Sequence, residues 1–322
     1  MAPLGPRLVS KTLVIGAAGM IGRKLVQALA QEQLIQHDVV PFAGASFVSD
    51  LSAPGEAEKL LASRPQLIFH LAAVVSGEAE ADFDKGYRVN LEGTQRLFAA
   101  IRKENYRPRV VFTSSIAVFG APFPEAIDDE FLSAPLTSYG TQKAIGELLL
   151  SDYSRRGFMD GVGIRLPTIC VRPGKPNKAA SGFFSGIIRE PLAGEEAVLP
   201  VPETVRHWFA SPRAAVGFLL HASRIDTGQL GARRNLSMPG ISATVAEQIE
   251  ALRKVAGDKV AQRIRREPDA TIQRIVEGWP RNFDAQRALA LGFRADASFE
   301  DIIRIHIEDE LQKKPAPRPG CA

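Results

Sequence analysis

The chain has 322 residues, 45% hydrophobic and 24% charged, with a formal net charge of +4; this is a globular composition with ample length for a buried core, which excludes a disordered chain. No apolar run reaches the roughly 18 residues of a membrane span. The basic excess contains no Lys/Arg run interleaved with aromatics, which argues against nucleic acid, and the two cysteines and five scattered histidines form neither a disulfide framework nor a metal-ligand cluster.

The opening "MAPLGPRLVSK" does not read as a secretory signal, and with only two cysteines, Cys170 and Cys321, a reducing, cytoplasmic setting is expected. "KTLVI" (11–15) reads as a first strand and "RKLVQALAQEQ" (23–33) as a helix. Between them, "VIGAAGMIG" places Gly16, Gly19 and Gly22 where strand turns into helix. Glycines there permit a tight turn and let backbone approach a pyrophosphate, while the helix N-terminus offers free N–H groups. A dinucleotide is the expected ligand, with Met20 and Ile21 beside it; a purely geometric βα turn is the alternative.

In such a site an acid ending the second strand hydrogen-bonds the adenosine ribose, about twenty residues past the glycines. Asp38 in "LIQHDVV" occupies that place, and a solvated loop acid is the competing reading. Between Val39 and Ser63 there is no Arg and one Lys, Lys59, so nothing is supplied for a 2′-phosphate and NAD is favoured over NADP. Asp50 and Leu51, just past the short strand "ASFVS", are placed to border the adenine.

"QLIFHLAAVV" (66–75) is strand-like, "DKGYRVNLEGTQRLFAAIRKE" (84–104) helical, and "RVVFTSS" (109–115) a third strand ending in hydroxyls. After a Pro-rich loop, "LTSYGTQKAIGELLL" (136–150) begins a helix with Thr137 or Ser138 as cap. Ile145, Leu148 and Leu149 are expected to hold it to the core. Tyr139 and Lys143, four apart on one face, read alone either as helix surface or as chemistry. "GVGIRLPTICV" (161–171) is a fourth strand. Near-continuously apolar strands separated by helices predict an α/β, doubly wound parallel sheet. Beyond about residue 170, prolines and glycines crowd the chain and a smaller, loop-rich C-terminal lobe is expected. "SPRAAVGFLLHAS" (211–223) is a helix that packs back on the sheet, and "TVAEQIEALRKVAG" belongs to the lobe.

"GAAGMIG", "FHLAAVVS", "VNLEGTQ", "FTSSIAVFG" and "SYGTQK", in this order and spacing, resemble the extended short-chain dehydrogenase/reductase superfamily over roughly residues 11 to 170. The alternation and its loss near residue 170 predict a Rossmann domain over 9–170, joined by 211–238, and a mainly substrate-binding lobe over 171–312, and the low-complexity tail over 313–322 is expected to be mobile. The resemblance implies Ser115, Tyr139 and Lys143 as the catalytic set. It also implies Gly16, Gly19, Gly22, Leu71, Ala72, Ala73, Asn90, Pro167 and Thr168 near NAD, with Tyr139 and Lys143 contacting it too. A free Tyr has a pKa near 10, so its phenolate is scarce at neutral pH. Lys143 one turn away, with the positive nicotinamide, is expected to lower that value; reaching about 7 takes roughly 4 kcal/mol. Superfamily members often dimerise through the Tyr helix and its neighbour, so a homodimer is an expectation.

The second half narrows the substrate. Where nucleotide-sugar members commonly carry an Asn contacting the sugar diphosphate, this chain has Pro167 and Thr168. "VRHWFASPR" keeps Arg206 but loses the closing Asp of the usual motif, and Ile116-Ala117 replaces the dehydratases' acid pair. "RLPTICVRPGKPN", "SGIIREPLAGEEAVLPV" and "RHWFASPR" resemble the D-erythronate dehydrogenase branch, which implies NAD-dependent oxidation at C2 of a four-carbon sugar acid to the 2-oxo acid. A small acid needs a cation for its carboxylate. Arg206 is the first candidate, with Arg172, Lys175 and Asn177 as others; Ser76 and Ser115 are placed toward the substrate hydroxyls. The segment 31–49 is short for that branch, which leaves the second strand and Asp38 open. Two alternatives remain: a nucleotide-sugar epimerase or dehydratase with retained NAD, and a non-catalytic NAD-sensing protein.

Overall fold

The computed structural model describes residues 11–29, 33–174 and 181–312. Its strands are β1 (Lys11–Ile15), β2 (Gln33–Asp38), β3 (Phe47–Val48), β4 (Leu67–His70), β5 (Arg109–Ser115), β6 (Asp160–Leu166), β7 (Thr168–Ile169), β8 (Ala197–Leu199), β9 (Arg206–Ala210), β10 (Asn235–Ser237), β11 (Ile241–Thr244) and β12 (Ile264–Arg266). Seven of them form one parallel sheet in the order β3-β2-β1-β4-β5-β6-β10. Strand order reverses between β1 and β4, so the carboxyl ends of these two strands, with β5 and β6 beside them, open onto a crevice where ligands of such folds bind.

Alternation along the strands separates two cores, one on each face. Val14, Phe69, Val111 and Val162 pack with Leu25 of the Met20–Ala28 helix and with Val216, Phe218 and Leu219 of the Pro212–Ala222 helix. Leu13, Ile15, Ile68, Val110 and Phe112 face the other way, onto Leu60, Leu61, Leu97, Phe98 and Leu150. The helix expected over 211–223 does pack back on the sheet. β2 is complete and pairs with β1 over five residues, so the short 31–49 segment costs the sheet no strand.

Element ends depart from the sequence reading where distant pairing decides them. The first helix stops at Ala28, and Gln33 already belongs to β2. The strand expected over 66–75 ends at His70, because Leu71 and Ala72 both turn their N–H groups onto the carbonyl of Ile15, the last residue of β1. The helix expected over 84–104 is wound as a π-helix from Tyr87 to Glu92 before the α-helical Gly93–Glu104. The strand expected over 161–171 is two: Pro167 has no N–H for a ladder, β6 stops before it, and β7 restarts after it in a different sheet. There β7 lies parallel to β9, which pairs antiparallel with β11.

The Ser138–Arg155 helix is capped by Thr137, whose Oγ1 accepts the Gly140 N–H at 3.0 Å. It lies close against β5 and the turn that follows it. A Cβ on Gly140 would sit 2.1 Å from the Ala117 carbonyl oxygen, and one on Gly146 would sit 2.8 Å from the Phe112 ring. The buried face is therefore the stripe of Lys143, Gly146, Glu147 and Leu150; Leu148, expected at the core, is 71% exposed.

The lobe has its own core around Phe184, Ile188, Phe209, Ile249 and Ile302. Its Val245–Ala256 helix starts with a capping box between Thr244 and Glu247. Ion pairs tie the last described turn to the sheet domain: Lys24 bonds Asp309 and Glu310, and Arg213 bonds Glu308 and Asp309.

Candidate active site

The glycine turn meets the demands of a close ligand approach. Gly16 has φ +91°, and a Cβ there would lie 2.6 Å from the Ala72 nitrogen; one on Gly22 would lie 2.1 Å from the Gly16 carbonyl oxygen. Gly19 precedes the helix at Met20 without a side-chain cap, so the first N–H groups stay open to a ligand. Asp38, ending β2, accepts the Ala18 N–H at 2.9 Å and the Val40 N–H at 3.2 Å, which fixes its carboxylate beside this turn. Asp50 accepts from Ser52 and pairs with Arg88, and Leu51 is buried in the core.

Asn90 does not line the cavity. It is 1% exposed in the π-helical turn, accepting the Val74 N–H and donating to the Val74 carbonyl, both at 2.9 Å. Its amide also donates to Gln142 at 2.7 Å, so it staples the Leu71–Val75 segment to the Tyr139 helix. A cavity of about 950 Å³ opens in front of that segment, lined by Met20, Ile21, Leu71, Ala73, Ser76, Ser115, Tyr139, Lys143, Pro167, Thr168 and Arg172 among others. The sequence-derived residues thus converge from five separate stretches. Arg206 does not join them. It is spent on Glu247 at 3.2 Å and on the Ser242 carbonyl, outside the cavity. Lys175 and Asn177 lie outside the described residues.

Arg172 lines the cavity that Arg206 does not reach. Its Nε donates to the Ile169 carbonyl at 3.2 Å, and among the described residues no carboxylate pairs with it. It lines the same cavity as Tyr139 and Ser115, and its charge acts on the phenol. The cation and the two hydroxyls suit a small acid bearing a hydroxyl next to its carboxylate.

The electrostatics of the helix residues differ from the simplest expectation. Lys143 is 2% exposed; its ammonium donates to the Thr113 carbonyl at 2.8 Å and lies 4.9 Å from the Phe112 ring centre. Burial lowers its pKa to about 8, against the opposing pull of Glu147. Burial raises the Tyr139 phenol above its ordinary value, and the Ser115 hydroxyl and Arg172 partly offset this. Lys143, 5.9 Å from the Tyr139 ring centre, is not the group that lowers it in this geometry.

Sequence reading overlooked several residues here. Glu147 continues the spacing of Tyr139 and Lys143 by one more turn, which is a legible signal. Only 4% exposed, it accepts from Ser114 at 2.5 Å and bidentately from Arg165. Glu80 accepts the Ser138 N–H at the start of the helix. Arg189, which donates to the Arg172 carbonyl at 2.7 Å, and His207 line the cavity from the lobe, and nothing local marks them.

Among known proteins, the model of the NAD dependent epimerase/dehydratase family matches residues 12–233. The chain is 48% identical to the D-erythronate dehydrogenase of Cupriavidus necator, over 92% of this chain and 98% of that one. It is 41% identical to the D-erythronate dehydrogenase of Haemophilus influenzae, over 94% and 100% respectively. A solved structure described as a nucleoside-diphosphate-sugar epimerase from Agrobacterium tumefaciens superposes with a TM-score of 0.91. It is 63% identical, over 96% of this chain and 98% of that one.

Burying Lys143 has a thermodynamic consequence with a definite sign. Its folded-state pKa near 8 lies below the ordinary lysine value of 10.5, so the unfolded chain binds more protons between those values and stability rises with pH there. At pH 7 the charge is buried at full cost, up to about 3 kcal/mol. Lys143→Met is expected to be more stable than the parent chain at pH 7 in denaturant unfolding, with the gap narrowing toward pH 10. A less stable variant at pH 7 rejects this.

Proposed function

The chain belongs to the NAD dependent epimerase/dehydratase family, and from that premise we propose that it oxidises the C2 hydroxyl of a small sugar acid, D-erythronate to 2-oxo-tetronate, with NAD as oxidant. The observation that carries the reading is Arg172, a cavity cation with no described carboxylate partner, in the same cavity as a Ser–Tyr pair. The family relationship and the two D-erythronate dehydrogenase relatives support it.

The chain offers fitting residues for the cofactor. The Gly16–Gly22 turn and the open N–H groups at Met20 and Ile21 suit the pyrophosphate. Asp38 suits the adenosine ribose, and the absence of Arg between Val39 and Ser63 favours NAD over NADP. Lys143 is the residue for the nicotinamide ribose. When bound, NAD supplies the acceptor for the hydride that leaves C2.

The remaining work falls to side chains. Arg172 clamps the carboxylate, which sets the adjacent C2 hydroxyl between Ser115 and Tyr139. Ser115 orients that hydroxyl and bonds the oxygen as charge develops on it. Tyr139 takes the hydroxyl proton, leaving a C2 carbonyl once the hydride has gone. Because burial holds the phenol high, deprotonation relies on positive charge: Arg172 beside it and the cationic ring of the oxidised cofactor.

A nucleotide-sugar epimerase is the second reading, favoured by the description of the Agrobacterium tumefaciens structure. It requires a diphosphate partner, whereas Arg189, which also lines the cavity, is already paired with Glu190. The readings separate on net turnover. Four- and five-carbon sugar acids with NAD are expected to yield NADH, most rapidly from D-erythronate; turnover of a UDP-sugar without any acid reverses the choice. Arg172→Met is expected to raise KM for the acid by about 10- to 100-fold, leaving KM for NAD nearly unchanged. Tyr139→Phe is expected to lower kcat by more than about 100-fold while NAD affinity, measured by fluorescence titration, stays within about threefold; near-normal turnover removes Tyr139 from its role.

A further inference from the structure

Three residues from separate stretches form a hydrogen-bond relay at the cavity wall. His207 Nδ1 lies 2.7 Å from the Pro280 carbonyl oxygen, and His207 Nε2 lies 2.6 Å from Thr168 Oγ1. A carbonyl only accepts, so Nδ1 carries the proton, and Nε2 is left as an acceptor. Thr168 must then donate its one hydroxyl proton to Nε2. What Oγ1 presents to the cavity is a lone pair.

The ring is held against reversal. It is 3% exposed, stacked on Phe184 at 5.2 Å and 3° between planes, with Trp279 5.4 Å away. Burial, with Arg172 nearby, lowers its pKa to about 4, so it is neutral at physiological pH. Protonation would reverse the relay by making Nε2 a donor. Thr168, His207 and Pro280 all line the cavity that holds Tyr139 and Arg172.

We propose that Thr168, fixed as an acceptor by His207 and Pro280, is a specificity-determining residue that reads a hydroxyl of the sugar acid beyond the oxidised carbon. This rests on the sugar-acid reading above. A lone pair held in place accepts from a hydroxyl and repels a carboxylate or phosphate oxygen, so it complements Arg172. One group selects the acid end and the other the polyol end. An analogue lacking the hydroxyl leaves Oγ1 facing a group that cannot bond it, and is rejected for that reason.

The test compares D-erythronate with its 3-deoxy and 4-deoxy analogues in steady-state kinetics. The parent enzyme is expected to prefer D-erythronate over one of them by at least about 10-fold in kcat/KM. Thr168→Val, similar in shape but without the hydroxyl, is expected to bring that preference to within about threefold, through KM for the acid and with KM for NAD unchanged. Thr168→Ser, which keeps the hydroxyl, retains the preference. His207→Gln, whose amide oxygen still accepts, is expected to retain more of it than His207→Phe. Undiminished preference in Thr168→Val overturns the inference. So does a Thr168→Val defect confined to KM for NAD, which would place Oγ1 on the carboxamide of the cofactor. If the parent enzyme oxidises no sugar acid at all, the functional reading fails and takes this inference with it, a result visible before any variant is made.

Discussion

The site depends on how closely one helix backbone approaches one strand end. The Ser138–Arg155 helix lies so near β5 and its following turn that no side chain fits at Gly140 or Gly146. That proximity lets Lys143 reach a β5 carbonyl with its ammonium, places Tyr139 and the strand-end Ser115 together on one cavity, and seats Glu147 on Ser114. A side chain at Gly140 would force this helix and the Ala117 backbone apart, and the pairs would then separate together, since one element carries them. Burying a lysine and a glutamate on the same face is unfavourable in isolation. The Glu147–Arg165 pair and the Thr113 carbonyl satisfy both charges without exposing them.

Much of this was legible in the chain because it is written in local spacing. A glycine turn after an apolar strand, hydroxyls ending another strand, and Tyr and Lys four apart are patterns whose geometry follows from one element. The structure brings Met20, Ser115, Tyr139, Lys143 and Thr168 to one cavity. Boundaries failed where a partner far along the chain sets them. The strand after Gln66 ends because β1 ends, and β6 breaks because Pro167 has no proton to give a neighbour. Leu148 misled for a different reason: apolar spacing identifies a core face only when the core face is apolar, and here it holds Lys143 and Glu147.

Charge assignments were the least legible. Arg206 ranked above Arg172 on paper; what reverses the order is the capping-box glutamate of another helix, which occupies Arg206, whereas among the described residues no carboxylate pairs with Arg172. Asn90 carries the same lesson. Its place in a recurrent motif suggested cofactor contact, but its amide is consumed in holding backbone, so it acts on the cavity through the Leu71–Val75 segment. The His207 relay could not be read at all, since Thr168, His207 and Pro280 are joined only by tertiary structure.

The break at Pro167 divides labour along the chain. On one side, Arg165 in β6 pairs with Glu147 of the Ser138–Arg155 helix; on the other, Thr168 in β7 belongs to the small sheet with His207. One residue without an N–H is thus the border between the sheet that meets the proposed catalytic helix and the sheet that carries the proposed recognition residue. On the proposed assignments such a seam favours evolutionary retooling: drift in the small sheet would change which molecule is welcomed and leave the proposed catalytic helix behind the proline undisturbed. The fold can therefore explore new substrates without first relearning its chemistry.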